Sequence, residues 1–465
     1  MRMLFQRIYE EGLSQASYFI GCQKQGVAAV VDARRDIQVY RDLAENNGME
    51  IVAVTETHIH ADYLSGTREL AAATGATVHL SGEGGQDWQY GFDGERLHHG
   101  DTLELGNITL TALHTPGHTP EHLSFLVTDG AVTDQPGYLL SGDFVFVGDL
   151  GRPDLLDEAA GGQDTRYEGA KNLFRSLRNV FLALEDYVQV HPAHGAGSPC
   201  GKALGAVPSS TVGYERRFAW WGPYLEADDE AGFVRELLDG QPDAHAYFAR
   251  MKRENRDGPA VLGTLQELPQ HSGADLADAV TAGDVVLVDT RTPEQVHQGT
   301  VTNSVAIPAG PQASNFAAWV IDPEKETRPL VVLAPDADAA AEFRDALLRT
   351  GIDTVSAYTD TLDDLPLTVP PRITPEQLQT ASDVTLVDVR GKSEYAQEHI
   401  PGAQQLSGGA ALWRLDELPR DSTLVTYCQS GARNTVVASG LRRAGYHVLE
   451  LEGSFEAWQR SVAAR

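Results

Sequence analysis

Through roughly the first 210 residues, short apolar runs break off at clusters of glycine, histidine, aspartate and proline, the pattern of strands feeding loops. Four of these runs share one arrangement: EIVAVTETHIHADY, LTALHTPGH, GYLLSGD and DYVQVHPAHG each carry an extended apolar segment followed at once by His or Asp. Four strand ends are therefore armed with groups that can bind a metal. From 213 to 255 the apolar spacing turns helical, as in AGFVRELLDG and AHAYFARMKREN, and NRDGP breaks the pattern and opens a linker.

The second half of the chain repeats itself. LVDTRTPEQVHQGTVTNSVAIP at 287–308 is echoed by LVDVRGKSEYAQEHIPGAQQLS at 386–407, and LVVLAPDADAAAEFRDALLRTG by TLVTYCQSGARNTVVASGLRRAG. Each unit runs to roughly a hundred residues, well above solenoid periods, so the repeat is a domain duplication. The Pro-rich DDLPLTVPPRITPEQ separates the copies. Strands alternating with helical patterns predict a parallel sheet wrapped by helices in each. Three domains are expected, at 1–258, 270–362 and 373–465, in an α/β multidomain chain.

Composition narrows the function. With 36 Lys and Arg against 66 Asp and Glu, the net charge of −30 argues against nucleic-acid binding and against attraction to anionic membranes, which need clustered cations. No apolar run is long enough to cross a bilayer, and Glu10 and Glu11 sit where a signal peptide would need an apolar core, so a cytoplasmic protein is expected. The three cysteines, Cys22, Cys200 and Cys428, form neither a disulfide framework nor a CxxC clip. Any important cysteine is then a thiol.

His58, His60, Asp62 and Tyr63 form HIHADY after the first armed strand, and His118, Asp143 and His194 follow the others. This ordered set resembles the metallo-β-lactamase superfamily, which implies an αββα sandwich. Dinuclear hydrolases of that superfamily have His where this chain has Tyr63, and a neutral phenol is a poor donor beside imidazole. The remaining set, with GDLGRPD at 148–154, resembles the persulfide dioxygenase branch. That resemblance implies one Fe(II) per chain held by His58, His118 and Asp143, a two-His, one-carboxylate triad that leaves positions open for a substrate sulfur and O2. His60, Asp62 and His194 would then orient ligands or meet substrate. In hydrolase relatives the positions of His60 and His194 bind metal, and that alternative stands. Arg152 would place a carboxylate of the thiol carrier or hold its loop through backbone carbonyls. Cys200 reads as a small buried thiol, although its distance from His194 would let it reach the site mouth.

Cys428 lies between the strand STLVTY and a helical stretch, so backbone N–H groups and a helix N-terminus surround its sulfur and stabilise a thiolate or persulfide. CQSGAR, with LVDVR upstream and LEGSFEAWQ downstream, resembles the rhodanese family. By that resemblance Cys428 is nucleophile and sulfur carrier, with Arg433 and the loop amides as anion holders. The six-residue loop from Cys428 to Arg433 resembles the sulfurtransferase form and not the longer phosphatase form. In the middle copy Ala334 stands opposite Cys428 and Ala339 opposite Arg433, so that copy lacks the chemistry.

Taken whole, the chain resembles the multidomain persulfide dioxygenase–sulfurtransferases of sulfide detoxification. This implies oxidation of a low-molecular-weight thiol persulfide by O2 to sulfite, and transfer of sulfur through Cys428 to give thiosulfate. The rivals are a glyoxalase II-like dinuclear zinc thioester hydrolase fused to a rhodanese, and a non-catalytic sulfur carrier. No motif names the thiol carrier. Modules of this kind often self-associate, so a homo-oligomer is one expectation.

Overall fold

The structure is a computed structural model that describes residues 3–158 and 165–463. The chain folds as two compact units, one running to Gln241 and including Phe248–Thr264, the other made of Pro242–Tyr247 and the chain from Leu265 onward.

The first unit is built on two six-stranded sheets. One holds β1 (Met3–Glu10), β2 (Gln15–Cys22), β3 (Val27–Val31), β4 (Glu50–Thr55), β5 (Thr77–Ser81) and β6 (Glu95–Leu97) in sequence order, antiparallel to β3 and parallel from there. The other runs β7 (Thr102–Leu105), β8 (Ile108–His114), β9 (Leu123–Asp129), β10 (Tyr138–Gly142), β11 (Gln189–Pro192) and β12 (Ser210–Thr211), with β10 and β11 parallel. The two-residue alternation of a strand explains why both faces of β2 are apolar. Ala16, Tyr18, Ile20 and Cys22 pack with Leu110, Ala112, Phe125 and Val127 of the second sheet, whereas Phe19 joins Tyr40 and Leu70 from the helices Gln38–Asn46 and Thr67–Thr74. The outer face of the second sheet is covered by the helix Thr165–Asn179 and the helices Val212–Phe218, Gly222–Glu226 and Glu230–Leu238 around buried Trp221. This is the αββα sandwich expected from the sequence. All four armed strand ends belong to it.

The second unit contains the duplication. The last sheet is ordered Gln404–Gln405, Val384–Asp388, Thr423–Tyr427, Val448–Leu451, Arg372–Ile373, and all its pairs are parallel. The middle sheet repeats that order as Val305–Ala306, Val286–Asp289, Leu330–Leu333, Val355–Thr359, and a parallel bridge from Gln270 to Tyr358 stands where the fifth strand would be. Ala334 thus follows its strand as Cys428 follows its own. Among the described residues no helix is long and apolar enough to cross a membrane.

Candidate functional site

The loops after β4, β8, β10 and β11 bring His58, His118, Asp143 and His194 together, each almost fully buried. The Nε2 atoms of His118 and His58 lie 3.5 and 3.9 Å from Asp143 Oδ2, and His194 Nε2 lies 3.5 Å from Asp143 Oδ1. Backbone and side-chain acceptors set the tautomer of all three rings. His118 Nδ1 donates to the Arg152 carbonyl at 2.9 Å and His194 Nδ1 to the Ser14 carbonyl at 3.0 Å. Thr57 Oγ1 gives its proton to Asp32 and accepts from His58 Nδ1 at 3.0 Å. Each Nε2 is left with a free lone pair aimed at one carboxylate. Burial and the neighbouring imidazoles hold His58 well below the usual histidine range, and burial lowers His118 despite Asp143, so both rings stay neutral and available as ligands.

Among the described residues, neither oxygen of Asp143 has a hydrogen-bond partner, nor do His194 Nε2 and Asp62 Oδ2, although all are buried. Buried polar atoms of that kind are costly unless something binds them. Donor atoms of His58, His118 and Asp143 lie within 4.8 Å of one another, a spacing that fits one metal ion. Two imidazoles and a carboxylate suit non-heme Fe(II). Asp62, His194 and Cys200 form a second group on the same criterion, with His194 Nε2 3.4 Å from Asp62 Oδ2. Cys200 is therefore not remote from the site, and burial together with Asp143 and Asp62 pushes its thiol well above the usual range.

The other residues of the motif point elsewhere. His60 Nε2 meets Asp32 Oδ1 at 2.9 Å, and although burial opposes protonation, the Asp32 carboxylate raises this ring to about 9. Tyr63 donates its hydroxyl to the Asp32 carbonyl at 3.2 Å, and burial keeps the phenol neutral. Arg152 is wholly buried, with its guanidinium on Asp154 and on the Pro199 carbonyl at 3.2 Å. Its backbone N–H also binds the Cys200 carbonyl, so it fixes the loop that brings Cys200 to Asp62. Gly142 must be glycine: it has φ 55, and a Cβ there would stand 2.5 Å from His122 Nε2, the atom that accepts the Asp143 N–H at 3.0 Å.

Two positioning residues escape a reading of the motifs. Asp32, at the end of β3, carries the same strand-then-Asp signal as the four armed ends and binds Thr57 and His60. Asn255, on the helix Phe248–Asp257, donates to the carbonyls of His60 and Tyr63 at 2.8 and 2.7 Å and accepts from Ser65 N at 2.8 Å. The helical extension thereby clamps the HIHADY loop. Replacing Asn255 with alanine strands three buried backbone groups, so unfolding free energy is expected to fall by about 3 kcal/mol and metal affinity by roughly 10- to 100-fold, as read by thermal melts and bound-metal analysis.

In the second unit, Cys428 is buried at the end of Thr423–Tyr427, and Gly431 N–H donates to its Sγ at 3.1 Å, ahead of the helix Ala432–Arg443. Arg433 forks onto Glu394, with contacts of 2.7 and 2.8 Å. Glu394 is a partner that the CQSGAR loop alone does not announce. In the middle copy, Asp336 caps the helix Ala337–Leu348 by accepting Ala339 N–H at 2.8 Å, so a carboxylate already takes up an amide of the loop that follows Ala334. Adding Ala334→Cys to a Cys428→Ser chain is therefore expected to restore no enzymatic thiosulfate formation. Product analysis of the double variant checks this.

Comparison with known proteins agrees with both halves. The metallo-beta-lactamase superfamily model matches residues 11–194, and the rhodanese-like domain model matches residues 374–461. A solved metallo-beta-lactamase from Staphylococcus aureus subsp. aureus COL is 37% identical with a TM-score of 0.67, over 77% of this chain and 98% of that one. The mitochondrial persulfide dioxygenase ETHE1 of Bos taurus is 24% identical over 200 residues, covering 41% of this chain and 68% of its own. A sulfurtransferase of Allochromatium vinosum is 42% identical over 86 residues, covering 18% of this chain and 80% of its own. On these matches the chain belongs to the metallo-beta-lactamase superfamily, with its sandwich fused to a C-terminal rhodanese-like domain.

Proposed function

We propose that this protein is a persulfide dioxygenase–sulfurtransferase, with a dioxygenase domain at 1–258, an inactive rhodanese-like domain at 270–362 and an active one at 373–465. The observation that carries the reading is the pairing of two sites in one chain: a buried triad of two histidines and one carboxylate, and a cysteine loop whose amide holds sulfur. Similarity to a persulfide dioxygenase and to a sulfurtransferase supports it, beside the family matches at residues 11–194 and 374–461.

His58, His118 and Asp143 would hold one Fe(II), which when bound would supply positions for O2 and substrate sulfur and relay the four electrons that the sulfane sulfur gives to O2. The chain's part is positional. Thr57 and the carbonyl of Arg152 keep two Nε2 lone pairs free, and His122 pins the Asp143 backbone. The balanced reaction is RSSH + O2 + H2O → RSH + SO3²⁻ + 2H⁺. At the second site, the Cys428 thiolate attacks the outer sulfur of a second persulfide, RSH leaves with the proton, and sulfite then takes the sulfur as thiosulfate while the thiolate is restored. Tethering both sites raises the effective concentration of sulfite near Cys428. We place this activity in cytoplasmic sulfide detoxification.

The test is product analysis by thiol-reactive labelling, with glutathione, coenzyme A and bacillithiol persulfides offered in turn. At least one is expected to yield sulfite and thiosulfate in the presence of O2. Hydrolysis of a thioester without any O2-dependent product would replace this reading with the glyoxalase II-like one.

A further inference from the structure

The strand Val448–Leu451 turns into the helix Ser454–Ala463 directly beneath the Cys428 loop. Two backbone contacts stitch the turn to the loop: Phe455 N–H donates to the Cys428 carbonyl at 3.0 Å, and Glu456 N–H donates to the Gln429 carbonyl at 3.1 Å. Ser454 sits at the pivot, wholly buried, with φ 53. That left-handed conformation is free for glycine and strained for an L side chain. Strain of this kind is retained where the side chain has work to do.

The Ser454 hydroxyl oxygen accepts the Cys428 N–H at 3.3 Å, which leaves its own proton to be donated elsewhere. Cys428 Sγ lies 3.9 Å away on the donating side. Arg433 is forked onto Glu394, so it acts on Cys428 through its charge and not through a hydrogen bond. Among the described residues, the donors within reach of the sulfur are then the Gly431 N–H and the Ser454 hydroxyl.

We infer that Ser454 is a positioning residue for the sulfur-carrying cysteine, its hydroxyl holding the Cys428 backbone while donating to the anionic sulfur. The inference rests on the sulfur-transfer reading of Cys428. In the loading step, Cys–S⁻ + R–S–SH → Cys–S–S⁻ + RSH, the S–S bond of the substrate breaks, a new one forms to Cys428, and the proton leaves with the thiol. The loop carries one negative charge before and after, so a fixed donor serves both states.

The test is the pH profile of Cys428 alkylation by iodoacetamide, read by mass spectrometry on the full chain, for the parent protein, Ser454→Gly and Ser454→Ala. Both variants lack the hydroxyl, so both profiles are expected to move up by about one pH unit, with alkylation at pH 7 slowed roughly tenfold. Ser454→Gly is expected to melt closer to the parent than Ser454→Ala does, because both lose the acceptor for the Cys428 N–H and glycine alone takes the left-handed φ without strain. Superimposable profiles for the parent and Ser454→Gly would overturn the inference, as would a shift in Ser454→Ala alone, which would mark strain and not donation. Thiosulfate formation by the parent, measured separately, tests the underlying reading: its absence would remove sulfur transfer from Cys428 whatever the alkylation profiles show.

Discussion

His118→Ala is expected to abolish iron binding and persulfide-dependent O2 uptake while sulfur transfer through Cys428 persists. In the proposed triad the ring is one of three donors, with His58 and Asp143, and its Nδ1 is already committed to the Arg152 carbonyl. Alanine leaves a two-donor site and unsatisfied buried polar atoms. Loss of O2 uptake should exceed the roughly 10- to 100-fold that outer partners of a metal site contribute. The sulfur loop belongs to the other compact unit, so thiosulfate:cyanide transfer should be unchanged. Iron analysis, an oxygen electrode and a cyanide assay on one preparation check all three parts. The same pattern is expected of His58→Ala and Asp143→Ala, and full iron with normal O2 uptake in all three variants would refute the triad.

Cys428→Ser is expected to separate product from oxidation. The triad does not involve this residue, so O2 uptake should continue. A hydroxyl cannot carry sulfane sulfur, so enzymatic thiosulfate formation should fall by more than about a thousandfold and sulfite should accumulate. The middle copy cannot substitute, since Ala334 offers no nucleophile and Asp336 fills the helix terminus. Thiosulfate formation that persists after correction for the uncatalysed reaction of sulfite with persulfide would move the transfer step away from Cys428, and Cys200, beside Asp62 and His194, would be the next residue to test.

Residues that end strands were the legible part of this molecule. His58, His118, Asp143 and His194 each come after an apolar run, and a strand carries the residues at its end to a fixed edge of the sandwich. Asp32 carries the same signal in VAAVVD and was recoverable by the same rule. Asn255 was not, because it reaches the HIHADY loop across nearly 200 residues of chain from a helix that reads as polar surface. Such a contact is set by tertiary packing, and no local pattern records it. Cys200 was half legible: its spacing from His194 allowed a return toward the site, but the return depends on Arg152 holding the Pro199–Cys200 backbone. In the second half, the duplication exposed the parallel sheet of each copy and the absence of Cys and Arg from the middle loop, whereas the strand order came from the structure. The left-handed φ of Ser454 and the fork between Arg433 and Glu394 lie outside what residue types alone specify.

Oxygen consumption by the intact iron-loaded protein with a thiol persulfide, with bound metal counted on the same sample, tests the central claim most directly. The expected result is about one iron per chain and O2 uptake that requires the persulfide. Two zinc ions per chain with no persulfide-dependent O2 uptake would contradict it.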